Sequence, residues 1–256
     1  MKIKLLFLFL ILALTKVFAT AQAPDKIIID GKKYDLLNSP MERYFEKHPE
    51  FHPIYSGKIE MLNKHINPEF PLPFSTGNYR GYIATLELKN NQLNLVDIKV
   101  PNLDSEEREY ISVFKELFGT QKVNINYNGI LVIPTGELEE FINFGYASIY
   151  SQYKLVTIKN DHVTKTKDLN KDEFYQFKIK QFLAFKKSPE YKKAVNEYLE
   201  SWKNDKEMEL SKEATKHLTP KQKRDLEKEY ETPPSTEYLD NFFFIMGKMD
   251  HIEVDY

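Results

Sequence analysis

The sequence predicts an α+β protein in which β-hairpins build a mainly antiparallel sheet and helices pack against it. Three observations support this fold class. Two-residue turn signals separate short apolar segments before residue 170. Apolar residues alternate with polar ones beside several of these turns. After residue 170 the apolar residues take helical spacing. Tight turns between strands disfavour a doubly wound parallel sheet, because parallel strands need long crossover connections.

Residues 1–21 have the layout of a secretory signal peptide. Two lysines precede an apolar run over residues 5–14, and Ala19-Thr20-Ala21 provides the small residues at which a signal peptidase cuts. The apolar run is shorter than the roughly 20 residues that a helix needs to cross a bilayer. We therefore expect cleavage after Ala21, a mature chain without a transmembrane anchor, and a periplasmic or secreted location.

The first element after the signal is a predicted hairpin. Asp30-Gly31 separates apolar segments at 27–29 and 34–37. Both central positions of such a two-residue turn need positive φ, which Asp and Gly adopt more readily than other residues. The pattern therefore predicts two paired strands.

A second and clearer hairpin follows a proline-rich stretch. Prolines interrupt residues 38–76, where only a short helix at 41–47 is predicted, because proline removes a backbone donor and restricts the residue before it. Apolar residues then alternate with polar ones over 82–88 and over 96–100, on either side of a polar turn at 89–92. This alternation indicates a sheet with one buried face.

The next segments mix helix and strand signals. Asp104 and Glu107 have the spacing of a capping box, which predicts a helix over 104–118 that ends at Gly119. Before residue 170 the sequence also predicts a hairpin around Asn128-Gly129 with strands at 123–127 and 130–133, a short helix from Thr135 to Gly145, and a strand pair at 153–158 and 162–166 around Asn160-Asp161.

The C-terminal part is predicted to be helical. Capping signals occur at Asn170, Ser188 and Thr219. Residues 203–231 are nearly half charged, and the apolar segment at 238–249 is expected to pack on the domain or on a partner. We therefore divide the chain into a signal peptide at 1–21, an α+β domain at 22–202, and a charged helical extension with an apolar tail at 203–256.

The composition excludes several classes of protein. The chain has 36 basic and 38 acidic residues, and the signal peptide contains three of the lysines and no acid. The mature charge is therefore mildly negative, and no nucleic-acid partner is expected. Cysteine is absent, which excludes lipid attachment at a cysteine and favours a bacterial envelope or secreted protein.

The candidate catalytic and metal-binding patterns in the sequence lack the residues or the geometry that their chemistry requires. His48 and His52 flank Glu50, but prolines at 49 and 53 prevent the helix on which two such histidines would share a zinc ion. The chain has no cysteine nucleophile, no G-x-S-x-G elbow and no glycine pattern that cradles phosphate. No metal and no cofactor is therefore expected.

The acidic clusters have a simpler interpretation than catalysis. They comprise Glu106, Glu107 and Glu109, and Glu137, Glu139 and Glu140. Both clusters are assigned to the first turns of predicted helices, where acids are stabilised by the helix dipole. We therefore do not assign them to a glycosidase pair, which needs two carboxylates facing one cleft.

A tyrosine-rich segment over 141–153 is the candidate recognition site. Aromatic residues that alternate with small ones can form a platform for a sugar, a peptide or a protein surface. The alternative is that these rings belong to the core between sheet and helices. The candidate binding residues come from this segment and from the start of the second hairpin: Arg80, Tyr82, Tyr146, Tyr150 and Tyr153.

Three stretches between residues 26 and 185 are distinctive: IIIDGKKYDLL, YRGYIATLEL with LVDI, and NGILVIPTGELEEFINFGYASIYSQY. They resemble short motifs of an uncharacterised family of exported bacterial proteins of the Bacteroidetes type. The resemblance implies export and a single α+β unit, and it leaves the charged C-terminal part uncovered. It implies no activity and no catalytic residue.

The sequence favours an exported, non-catalytic protein that binds a partner protein or a component of the cell envelope. One alternative is a secreted hydrolase whose catalytic carboxylates are scattered along the chain. Another is a protective protein that blocks a second protein. Two carboxylates on facing walls of one cleft would favour the hydrolase, whereas a site lined by Tyr, Phe and Arg would favour binding.

Overall fold

The computed structural model describes residues 20–66, 75–107 and 109–256. The predicted signal peptide therefore lies outside the described residues, except for Thr20 and Ala21. The chain divides into two compact units, one extending through Tyr175 and including Tyr256, the other formed by Gln176–Asp255. This division groups residues 176–202 with the C-terminal helices, whereas the boundary at 202 stays a prediction from the sequence.

The first unit is built on a mixed sheet that is mostly antiparallel. The strands described in it are β1 (Asp25–Ile29), β2 (Lys32–Leu36), β3 (Ile83–Lys89), β4 (Gln92–Pro101), β5 (Tyr110–Ser112), β6 (Gly129–Pro134), β7 (Leu138–Glu140), β8 (Ile149–Tyr150), β9 (Gln152–Lys159) and β10 (His162–Asn170). Their order is β2-β1-β3-β4-β10-β9-β6, with β5 beside β4 and with β7 and β8 paired separately. Among the described pairs of strands, only β1 and β3 run parallel.

Helices accompany the sheet and follow it in the chain. They are α1 (Pro40–Lys47), α2 (Glu60–His65), α3 (Phe114–Phe118), α4 (Lys171–Phe185), α5 (Pro189–Glu209), α6 (Lys212–Thr215), α7 (Pro220–Glu229) and α8 (Thr236–Met246). Short 3-10 helices lie at Pro49–Phe51 and Thr76–Asn78. The predicted α+β class is therefore confirmed.

Three of the four predicted hairpins form at their predicted turns. Each turn contains two consecutive residues with positive φ: Asp30 and Gly31 between β1 and β2, Asn90 and Asn91 between β3 and β4, and Asn160 and Asp161 between β9 and β10. Asp, Asn and Gly adopt this conformation at low cost, and it matches the twist of the flanking strands. The turn residues therefore determine where the chain reverses.

The two ends of the main sheet are joined by hydrogen bonds just beyond β2. The Leu37 N–H donates to the Val132 carbonyl at 2.9 Å. The Asn38 side chain accepts from the Val132 N–H at 3.0 Å and donates to the Ile130 carbonyl at 3.2 Å. Asn38 thus pairs with β6 as a further strand residue would. The sheet and its covering helices enclose a core whose members with no exposed area include Ile27, Leu36, Met41, Leu62, Leu86, Ile98, Leu131, Ile133 and Ile158.

The helix predicted over 104–118 is wrong for most of its length. Tyr110–Ser112 forms β5, which pairs with β4, and only Phe114–Phe118 is helical. The Asn102 N–H donates to the Glu109 carbonyl at 2.8 Å and so continues the β4–β5 pairing. Sheet pairing therefore overrides the local capping signal. Gly119 ends the short helix with a φ of 66°, as its position predicted.

The predicted hairpin at Asn128-Gly129 is also wrong. Residues 121–128 form no strand, and β6 pairs with β9 instead. The Asp161 carboxylate accepts the backbone N–H groups of Asn126 and Tyr127, at 2.9 and 2.7 Å. A buried side chain therefore binds the donors that a strand ladder would have used.

The helix predicted from Thr135 to Gly145 is replaced by a small strand pair, β7 with β8. The Glu137 N–H donates to Ser151 at 2.9 Å, next to this pair. The interpretation of both acidic clusters as first-turn helix residues is consequently wrong, because Glu139 and Glu140 lie in β7 and Glu106 and Glu107 lie in a turn.

The predicted helix starts in the C-terminal part are confirmed. Asn170 and Glu173 exchange backbone-to-side-chain hydrogen bonds at 2.9 and 3.0 Å. The Ser188 and Thr219 side chains accept from the third residues of α5 and α7. These bonds satisfy N–H groups that have no partner within the helix.

The apolar tail is part of the second unit. Leu239, Phe243 and Met249 are buried together with Phe185, against apolar side chains of α4 and α5. The Asp240 carboxylate accepts from Lys186 and from the Tyr191 hydroxyl, both at 2.6 Å. None of the described helices has the length and apolar character required to cross a membrane.

Candidate functional site

The structure separates the predicted binding residues into two places in the first unit. Arg80 and Tyr82 lie at the entrance to β3, and Tyr146, in the loop between β7 and β8, is close enough to interact with the Arg80 charge. Tyr150 and Tyr153 form a second pair, with their ring centroids 6.0 Å apart. The first group includes the charged Arg80 side chain, whereas Asp35, Glu139 and Lys171 lie near the second group.

A buried ion pair lies at the centre of the first group. The Arg80 Nη1 donates to Asp25 Oδ2 at 2.9 Å, and both side chains are at most 3% exposed. The other Asp25 oxygen accepts the Ala84 N–H at 2.8 Å, and Arg80 Nη2 donates to the Ala23 carbonyl at 3.0 Å. Burial raises the pKa of the Asp25 carboxyl, although the Arg80 guanidinium opposes the shift. The pair therefore ties β1 to β3.

Two buried polar atoms, on the residues two positions before and after Arg80, have no hydrogen-bond partner among the described residues. They are the Tyr82 hydroxyl, on a side chain 1% exposed, and the Asn78 Oδ1. The Arg80 guanidinium lies 5.1 Å from the Tyr82 ring centroid. Burial raises the pKa of Tyr82 well above its usual value, so its hydroxyl stays neutral. Buried polar atoms of this kind usually bind water or a ligand group.

Helix α1 brings two further polar groups to the site. Ser39 precedes the helix and Glu42 lies in its first turn. The Ser39 hydroxyl is 3.4 Å from the Tyr146 hydroxyl, and the Tyr79 hydroxyl donates to Glu42 at 3.4 Å. We call Ser39, Glu42, Tyr79 and Tyr146 the hydroxyl surface. Its two tyrosines are neutral, because burial above all raises the pKa of each to about 12.

The sequence provided little indication of this arrangement. Tyr146 is predicted as a binding residue because aromatic residues alternate with small ones around it, and Arg80 and Tyr82 because the start of the second hairpin has a similar mixture. Asp25 was missed, because nothing near it in the sequence shows that the parallel β1–β3 pairing brings it to Arg80. Glu42 was missed because a glutamate in the first turn of a helix is common without any function.

His52 lies beside the same cluster. Its Nδ1 accepts the N–H groups of Ile54 and Tyr55, at 3.1 and 3.4 Å, and its ring meets the Tyr82 ring edge-on at 6.0 Å between centroids. Burial lowers the pKa of His52 to about 4, although the Glu42 charge opposes the shift. The neutral imidazole is therefore the form that fits the fold.

This burial gives a first prediction on pH dependence. The pKa of His52 is about 4 in the folded chain and 6.5 when unperturbed, so the unfolded state binds more protons between these values. Stability present above pH 6.5 is therefore lost as the pH falls to about 4. His52→Asn keeps a side-chain acceptor without titrating, and its stability should fall less over this range. Urea unfolding of both proteins at several pH values measures the difference, and parallel curves would contradict it.

Tyr153 has the position that the core alternative predicts. It is 2% exposed, and its ring stacks on Phe174 with 3.7 Å between centroids. Its hydroxyl accepts the Tyr150 N–H at 2.8 Å. Tyr150 is half-buried beside it. These two residues therefore support the local packing of β8, β9 and α4.

Within the described ranges, no group of three or more His, Asp or Glu side chains is arranged to hold a metal ion. A scan against protein-family models finds no match for the chain, and searches of curated proteins and of solved structures find none either. The resemblance to exported bacterial proteins stays a prediction.

Proposed function

We propose that this protein is exported and binds a component of the cell envelope at the hydroxyl surface. The observation that supports this function is the convergence of three hydroxyl groups and a carboxylate next to the buried Asp25–Arg80 pair. The ion pair and the sheet fix the positions of the neighbouring side chains. A site prepared in this way loses little conformational entropy when it binds.

The charge of the site favours a neutral ligand with several hydroxyl groups, such as an envelope saccharide. Arg80 is already paired with Asp25, and Glu42 adds a second carboxylate. Because Asp25 already neutralises the Arg80 charge, Arg80 does not favour phosphate or carboxylate ligands over neutral ones. The Tyr146 hydroxyl can donate to a sugar oxygen, and the Tyr79 hydroxyl oxygen and the Glu42 carboxylate can accept from sugar hydroxyls. The Tyr79 side chain is 55% exposed and can place its ring against an apolar sugar face.

Hydrolysis is less well supported by the same residues. A glycosidase needs two carboxylates that both reach the substrate. Asp25 and Glu42 are the carboxylates near Arg80, but Asp25 is fully buried and both of its oxygens accept hydrogen bonds within the fold. Asp25 therefore has a structural role, and the arrangement supports binding better than hydrolysis.

The test is a comparison of hydroxyl-deleted variants. Tyr79→Phe and Tyr146→Phe keep the rings and remove one hydroxyl group each, so each should weaken binding of a neutral envelope oligosaccharide by about 0.5–1.5 kcal/mol. Titration calorimetry with neutral cell-wall fragments, and with sulfated or phosphorylated counterparts, measures the effect. Tyr175→Phe, at a tyrosine exposed on α4 outside the hydroxyl surface, is the matched control.

Three outcomes distinguish the alternatives. Binding of neutral fragments that is weakened by both Phe substitutions supports the proposal. Preferential binding of the charged fragments, or equal binding by all variants, contradicts the assigned ligand class and site. Retention of an envelope protein instead of a saccharide, lost in both variants, would leave the surface correct and make the ligand a protein.

A further inference from the structure

Residues 20–23 lie between the two loops that bear the tyrosines of the hydroxyl surface. On one side the Gln22 N–H donates to the Gly145 carbonyl at 3.0 Å, next to Tyr146. On the other side the Ala23 N–H donates to the Gly77 carbonyl at 2.7 Å, and the Tyr79 N–H donates to the Gln22 side chain at 3.4 Å. The segment therefore connects these loops like a short strand.

Thr20 and Ala21 contribute several hydrogen bonds to this connection. The Gly145 N–H donates to the Thr20 carbonyl at 3.3 Å, and the Ala21 N–H donates to the Asn143 side chain at 2.9 Å. The Thr20 carbonyl also accepts from the Gln22 amide at 3.1 Å. The Thr20 hydroxyl donates to Thr76 at 3.1 Å. Ala21 and Gly145 form a parallel bridge.

Close packing adds to these hydrogen bonds. A Cβ placed on Gly77 would lie 3.4 Å from the Ala21 carbonyl oxygen and 3.7 Å from the Thr20 methyl group. The backbone of Ala21 therefore packs directly against a glycine. A chain that began at Gln22 would lack all of these contacts, and both loops would lose a neighbour.

The sequence offers a second cleavage site two residues earlier. A signal peptidase reads small residues at the first and third positions before the cut, with some tolerance for an aliphatic residue at the third. Ala19 and Ala21 satisfy this pattern for a cut after Ala21. Val17 and Ala19 satisfy it for a cut after Ala19. The cleavage pattern alone leaves both cuts open.

We propose that the signal peptidase cuts after Ala19, so that the mature protein begins with Thr20 and keeps the whole connection between the two loops. The peptidase acts before the chain folds, and the structure shows which product is complete once folded. This processing site rests on the export stated in the proposed function. It replaces the expectation of a cut after Ala21.

Two substitutions distinguish the cuts, because each affects only one of them. Val17→Asp places a charge at the third position before the cut after Ala19, but at the fifth before the cut after Ala21. Ala21→Leu places a bulky residue directly before the later cut, but at the second position after the earlier one. Ala19 itself belongs to both sites and does not discriminate.

The experiment expresses the full chain in a Gram-negative host and determines the N-terminus and intact mass of the exported protein. We expect Thr20 as the first residue of the parent protein and of Ala21→Leu, and for Val17→Asp either a shift of the first residue to Gln22 or accumulation of precursor. A mature protein that starts at Gln22, with Val17→Asp processed normally, would overturn the proposed site and leave export intact. A protein that still starts at Met1 would contradict export as well.

Discussion

Arg80→Met is expected to lower the free energy of unfolding by about 3–5 kcal/mol at neutral pH, because it leaves the Asp25 carboxylate buried without its counter-ion. Asp25 has no exposed area, and Ala84 N–H is its other hydrogen-bond donor. Urea unfolding measures the loss. The loss should shrink as the pH falls, since burial raises the pKa of Asp25 and a protonated carboxyl no longer needs the guanidinium. An acid whose pKa is higher in the folded than in the unfolded state stabilises the folded state at low pH, and this stabilisation is lost as the pH rises.

The control for this prediction is an ion pair at the surface. Lys26 and Asp35 also form a salt bridge, but their side chains are 30% and 41% exposed. Asp35→Ala should therefore cost less than about 1 kcal/mol. The double variant Asp25→Ala/Arg80→Met should lose less than the sum of the single losses, because no buried charge remains. Additive losses, or equal effects of Arg80→Met and Asp35→Ala, would show that the buried pair has no special role.

Tyr153→Ala is expected to have the second large effect, a loss of about 3–5 kcal/mol in the free energy of unfolding. The substitution removes a buried ring that stacks on Phe174, and it leaves a cavity between β9 and α4. It also removes the hydroxyl that accepts the Tyr150 N–H. Thermal and urea unfolding provide the measurement.

Two further variants separate the contribution of the Tyr153 ring from that of its hydroxyl group and from that of the neighbouring Tyr150 ring. Tyr153→Phe keeps the ring and removes only the hydroxyl, so it should cost about 1 kcal/mol. Tyr150→Ala removes a half-buried ring and should cost clearly less than Tyr153→Ala. A melting temperature of Tyr153→Ala equal to that of the parent would mean that the ring is exposed in solution, as a recognition surface requires.

Turns and helix caps were predictable because they depend on a few adjacent residues. Asp30-Gly31 and Asn160-Asp161 reverse the chain with positive φ, and the Asn170–Glu173 pair closes its capping box by its own side chains. Each of these features is decided within four residues. The fold class followed from them, since hairpins dominate before residue 170 and helices after it.

The wrong predictions share a physical cause. In each of them, a partner distant in the sequence binds the segment and overrides its local pattern. Asp104 and Glu107 have the spacing of a cap, but Val100 pairs with Ile111 and turns the next segment into a strand. The segment before Asn128 alternates like a strand, but its N–H groups bind Asp161, which is more than 30 residues away. The parallel β1–β3 pairing that brings Asp25 to Arg80 could not be predicted for the same reason, because it joins segments that are distant in the sequence.

The pairings that close the sheet also constrain the order in which it assembles. Hairpins with two-residue turns close small loops and form quickly, whereas contacts between distant residues must first offset the entropy of a large loop. The Asn38 side chain meets Val132 across 94 positions of chain. A chain that is synthesised from its N-terminus cannot complete this contact before β6 has been made. β1 and β2 alone form a two-stranded hairpin, which is only marginally stable in water. The parallel pairing of β1 with β3 extends this hairpin first, and docking on β6 is a later event in folding.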